Sequence, residues 1–160
     1  MELQALFGIL FIMIPEVQEY LKDQRVGVLA VEMLDGSPHA ATVHFALSGG
    51  TFVFLTDSKY RKAQPFMDGS NVRSSFVVGT EEAPEGEKEK TLQIDGVARL
   101  AGNDDATHRE AYLTKFPSKA KYDGPDDIFL VLTPTWWRFT DWSAPGGKTV
   151  WLSDGSIQKP

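Results

Sequence analysis

Lys59, Arg61 and Lys62 place three cations within four positions, in a chain where 22 acidic residues outnumber 16 Lys and Arg. They follow Thr56-Asp57-Ser58, at the point where a run of alternating bulky residues, Phe52 to Leu55, gives way to polar ones. A strand-to-helix turn of this kind offers free backbone N–H groups and cationic side chains, the two things a phosphate monoester needs. The same cluster also suits a solvated helix start. A second candidate group is Trp136, Trp137, Phe139 and Trp142, clustered around Arg138. Such a cluster serves a core, a subunit interface or a planar ligand.

Several chemistries are disfavoured. There is no cysteine, so a disulfide scaffold, a thiolate metal site and a thiol nucleophile are excluded. His39 and His44 have opposite strand parity and His108 lies in a predicted helix, so the histidines do not form a metal set. No G-x-S-x-G turn, G-x-x-x-x-G-K-[ST] loop or G-x-G-x-x-G element occurs. A net charge of −6 gives no positive field for nucleic acid or an anionic membrane.

The elements that must position these residues read as a single domain over 1–160. Leu3–Ile14 is strongly apolar but about half a bilayer span, and is expected to pack as a helix on the body or on a second subunit. Pro15 opens a short helix. Arg25–Leu34 and Pro38–Leu47 read as strands joined by Asp35-Gly36, and Thr51–Thr56 follows Ser48-Gly49-Gly50 as a third. A short helix ends near Pro65. Val72–Gly79 and Thr91–Ala101 are further strands, separated by a charged, exposed loop over residues 80–90. A helix runs from Asn103 or Asp104 to Phe116. Ile128–Leu132 continues past Pro134 to Trp142, and Lys148–Leu152 closes the chain. Six or seven antiparallel strands with peripheral helices predict a mainly β fold, a closed or partly closed barrel. Composition and the absence of cysteine fit a cytoplasmic address.

Parity then sorts the faces. Ala41, Val43, Phe45 and Leu47 share a core side, while Ala40, Thr42, His44 and Ala46 form a small, polar face that a flat ligand could approach. Leu92, Ile94, Ala98 and Leu100 oppose Thr91, Gln93, Asp95 and Arg99.

In this order the features resemble the pyridoxamine 5'-phosphate oxidase-like, FMN-binding split-barrel family. Asp35-Gly36-Ser37-Pro38-His39 is similar to its D-G-x-P-x turn, Phe54-Leu55-Thr56-Asp57 through Arg61-Lys62-Ala63 to its F-Y-T-N…S-R-K-A motif, and Gln93-Ile94-Asp95-Gly96 to its I-x-G-x-A-x-L strand. The resemblance covers about Pro15 to Trp142. It implies that Arg61 and Lys62 bind an FMN phosphate beside Leu55 and Thr56, that Ala41, Thr42, Val43 and His44 contact the isoalloxazine ring, and that Gln93 reaches it from the adjoining strand. It also implies a homodimer with FMN at the interface, Trp137 and Arg138 meeting substrate or the second subunit, and an oxidoreductase acting on a small organic molecule. Relatives that hold deazaflavin or haem, or hold flavin without turnover, define the alternatives. Members that oxidise pyridoxamine phosphate carry an additional Arg and Lys where Ala41 and Ala46 stand, and a histidine where Arg138-Phe139-Thr140-Asp141 has Thr140. Those changes remove donors for a substrate phosphate and point away from the vitamin B6 reaction.

Overall fold

The computed structural model describes residues 13–79 and 89–160. The apolar run before Met13 and most of the charged loop over residues 80–90 lie outside the described residues.

Helix α1 (Pro15–Lys22) is followed by strands β1 (Val26–Glu32), β2 (Pro38–His44), β3 (Ala46–Ser48) and β4 (Thr51–Asp57). A 3-10 turn (Arg61–Phe66) leads to β5 (Val72–Gly79) and β6 (Lys90–Leu100). Helix α2 (Ala106–Lys115) precedes β7 (Asp127–Asp141), β8 (Thr149–Leu152) and β9 (Ile157–Gln158). All strands join one antiparallel sheet with the path β2-β1-β5-β6-β7-β4-β3, and β8 and β9 extend from β7. The two ends of that path, β2 and β3, are separated in sequence by Phe45 alone. The sheet therefore has to roll up until its ends nearly meet, which makes the expected split barrel.

The break at Phe45 departs from the sequence reading, which ran one strand from Pro38 to Leu47. Phe45 donates its backbone N–H to Arg25 O at 3.2 Å, and its ring sits wholly inside the roll. After this corner the parity inverts. Ala46, expected on the polar face, is buried against Val53, Tyr112, Phe116 and Phe129 beneath α2. Corners that move a chain from one sheet edge to the other are how such barrels close.

Alternation fills the interior. Phe76 lies 5.2 Å from Phe45, 5.3 Å from Phe52 and 5.0 Å from Phe54, ring to ring. Each of these rings is fully buried, worth about 2–3 kcal/mol of transfer free energy apiece. Gly27 makes room for them, because a Cβ there would stand 2.4 Å from Phe76 Cζ. Val17, Tyr20 and Leu21 of α1 join the same core and cover one end of the roll. The hairpin β1–β2 turns as read: Gly36 takes a positive φ of 80° and the Asp35 carboxylate accepts from Ser37 N at 2.9 Å.

Among the described residues, no helix covers the opposite face of β1, β5 and β6. Val26, Val28, Val77 and Val97 are each more than a third exposed on it. Among the described residues no helix is long and apolar enough to cross a membrane.

Candidate functional site

The strand parity that makes the core also builds a row across the open face. Thr42 pairs with Val28, Val28 with Val77, Val77 with Gln93 and Gln93 with Arg138. Thr42, His44 and Gln93 are exposed, as read from the sequence. Val43 is buried and Ala41 half-buried, so their side chains face inward and only their backbone can meet a ligand. Because β2 ends the sheet path, alternate main-chain groups of 41–44 point away from β1, which makes that backbone usable. Beside this row, a groove of about 570 Å³ is lined by Ala30, Glu32, Pro38, Arg73, Ser75 and Asp95.

The basic turn stands near the β1–β2 hairpin. Hydrogen bonds from Ser37 hold the Asp35 carboxyl below its usual range, and the Arg61 charge adds to this. The three cations are not equivalent. Lys59 is engaged with Asp126 at 2.6 Å. Arg61 is exposed and Lys62 half-buried, and neither forms an ion pair among the described residues. Burial lowers the Lys62 pKa, and its Nζ sits 4.6 Å over the Tyr60 ring. At the end of the feeding strand, the Thr56 Oγ1 is buried without a hydrogen-bond partner among the described residues. An unsatisfied buried hydroxyl costs about 1–3 kcal/mol. One unmet hydroxyl and two cations that form no ion pair among the described residues, with Asp35 near Arg61 and Asp57 near Lys62 acting only at longer range, suit an anion of the phosphate type. Leu55 points the other way, against the cluster under α2.

Trp137 does not belong to this surface. It is 4% exposed and packs in the main core opposite Ile94, because it alternates with Arg138 along β7. The expectation that it meets a substrate or second subunit is corrected accordingly. Arg138 stays on the open face beside Gln93, and Trp136, 38% exposed, lies two residues before it.

Sequence reasoning missed a further cationic group. Arg25 Cζ lies 4.7 Å from the Phe116 ring centroid, the His44 ring 5.4 Å from it and Lys115 Nζ 5.7 Å from it. These residues are far apart in the chain and leave no local pattern. Lys115 Nζ also lies 4.2 Å over the Phe45 ring and donates to Gln24 O at 2.5 Å. Burial, with Arg25 adding repulsion, pulls its pKa down to about 8. Partial burial and then the charges of Lys119 and Arg25 lower the His44 pKa.

A rolled antiparallel sheet whose two ends nearly meet defines a split barrel. The sequence profile of pyridoxamine 5'-phosphate oxidase matches residues 13–141, and the chain belongs to that family. Among solved structures, a heme binding protein from Mycobacterium smegmatis is 22% identical, with a TM-score of 0.67 over 89% of this chain and 60% of the other. This chain thus spans about three fifths of that relative. A FAD-binding protein from Mesorhizobium loti is 18% identical, with a TM-score of 0.60 over 79% of this chain and 92% of the other. HutZ, the heme storage protein from Vibrio cholerae, is 17% identical, with a TM-score of 0.59 over 75% and 88%. At these identities the likeness is one of fold. No curated protein matches the chain.

Proposed function

We propose that the protein is an FMN-dependent oxidoreductase that works as a homodimer on a small organic substrate. The observation that carries this reading is the turn at the end of β4, where, among the described residues, Arg61 and Lys62 form no ion pair and the buried Thr56 hydroxyl has no hydrogen-bond partner. There Arg61 and Lys62 would hold the phosphate, with Thr56 donating once the turn adjusts to admit it. Val28 and Val77 would give the ring an apolar floor, and the Gln93 amide can donate to or accept from its polar edge. The flavin, when bound, supplies the electron transfer; the protein supplies placement and a defined polarity around it.

The exposed valines support the dimer. An apolar strand face with no helix over it among the described residues is costly in water, and a second copy placed face to face would cover it and close the flavin site from above. The family's fold neighbours include proteins that bind FAD and haem, which is consistent with a flat cofactor on this surface.

His44 favours haem as a second reading. It is an exposed imidazole whose lowered pKa keeps it neutral, the form that ligates iron. The visible spectrum of the purified protein, followed by titration with FMN and with haemin, separates the two. Flavin uptake that Arg61→Ala with Lys62→Ala weakens by about a hundredfold supports FMN. A Soret band lost in His44→Ala, without FMN uptake, would replace it with haem.

A further inference from the structure

The cationic group around Phe116 has no role in holding the flavin phosphate. It is built from four separate elements: Arg25 precedes β1, His44 ends β2, Lys115 ends α2, and Lys119 lies in the turn that follows. It also lies at the far end of β2 from the basic turn. From Pro38 to His44 the strand rises roughly 20 Å, so one phosphate cannot occupy both places.

The group is uncompensated. None of the four residues takes part in an ion pair among the described residues. The charges that act on His44 come from Lys119 and Arg25, and the charge that acts on Lys115 comes from Arg25. This occurs in a protein with six more acidic than basic residues, where a neighbouring carboxylate would be easy to supply. Stacking on Phe45 and Phe116 explains how the cations are tolerated, since ring faces attract them weakly. It does not explain why Lys115 is half-buried beside Arg25, where desolvation and repulsion both act against its charge. A lysine with only a structural role would reach solvent. One ammonium proton of Lys115 is committed to Gln24 O, and the others remain available.

We propose that Arg25, His44, Lys115 and Lys119 form a second anion site, which takes the carboxylate or phosphate group of a small molecule. Given the flavin reading above, on which this last step rests, that molecule is the reaction partner. Its charged end is anchored at the His44 end of β2 and its body extends over the small face of Thr42. Selection for an anionic substrate then comes from residues outside the motif positions that Ala41, Ala46 and Thr140 leave without donors. An anion here relieves the repulsion among the cations and stabilises protonated His44.

The test is an NMR pH titration of the three histidines in the intact protein, with inorganic phosphate or succinate as probe and chloride at matched ionic strength as control. We expect either probe to raise the His44 pKa by about one unit relative to chloride, with His39 and His108 moving much less. Lys115→Met, which keeps the stem over Phe45, and Arg25→Gln should each weaken the probe's apparent affinity about tenfold. Arg61→Ala with Lys62→Ala should leave the His44 response intact. The proposal is overturned if His44 moves no more in phosphate and succinate than in chloride, if neither single variant changes the affinity, or if the response disappears with the Arg61 and Lys62 pair. A protein that ignores FMN yet shows the His44 response loses the flavin reading alone. One that binds FMN with His44 unresponsive loses the anion site alone.

Discussion

Thr56 shows how a single atom can trade stability against binding. Its Oγ1 is buried and unpaired, so Thr56→Val, which keeps the shape and removes the hydroxyl, should stabilise the ligand-free protein by about 1 kcal/mol. The same change should weaken FMN uptake. A thermal melt and a flavin titration on one sample check both, and a destabilised variant would show that the hydroxyl has a partner after all. Asp105 gives the opposite case. Arg99 donates to it twice at 2.8 Å, and Gly102 N donates at 2.6 Å, holding the carboxyl far below the usual range. A carboxyl with a depressed native pKa contributes stability above its unfolded value of about 3.9, and that stability is lost as pH falls through the native value. Asp105→Asn should therefore cost about 1–2 kcal/mol at neutral pH, discounted for the half-exposed Arg99, a cost that begins to shrink only as pH falls below about 3.9 and fades towards the much lower native value. Denaturant melts across that range measure it; a pH-independent cost would overturn the assignment. At this scale the sequence was informative where chemistry is local. The exposure of Thr42, His44 and Gln93 follows from strand parity. The pairing of Lys59 with Asp126 and the gathering of Arg25, His44 and Lys115 around Phe116 do not, because they depend on contacts between distant segments.

Strand and turn positions were mostly legible because alternation and the Asp35-Gly36 signal act over a few residues. The break at Phe45 was not. Ala41, Val43, Phe45 and Leu47 keep an unbroken two-residue period, and nothing local marks a corner where backbone bonding passes from β1 to β4. Ala46 was misplaced for that reason. Close approaches are also invisible in one dimension. At Gly96, where the register between β6 and β7 shifts, a Cβ would lie 2.3 Å from Thr133 O and 3.0 Å from Thr133 C. The obstacle is backbone and cannot swing away. Gly96→Ala should destabilise by about 2–3 kcal/mol, more than alanine usually costs in a strand. Equal melting temperatures for variant and parent would refute this account of the bulge.

At the scale of the molecule, the fold class was legible from the run of short strands, hairpin turns and sparse helices. The exposed valine face was not, since it takes the folded sheet to show that no helix among the described residues crosses it. We expect Val28→Lys with Val77→Lys to yield a folded monomer that releases FMN, read by analytical ultracentrifugation and the visible spectrum. A dimer that persists would move the interface elsewhere. One strand matters most for the molecule's cohesion. β7 pairs with β6 along one edge, while β4 and then β8 share its other edge, so it belongs to both sides of the roll. Opening either side exposes only one of its edges, and no partial opening frees the strand. The amides of Leu130, Leu132, Arg138 and Thr140 should thus exchange with solvent deuterium only through global unfolding, while those of β2, bonded on one edge, exchange through local fraying. A spine held from two sides lets the rim at β2 loosen and re-form without putting the barrel at risk.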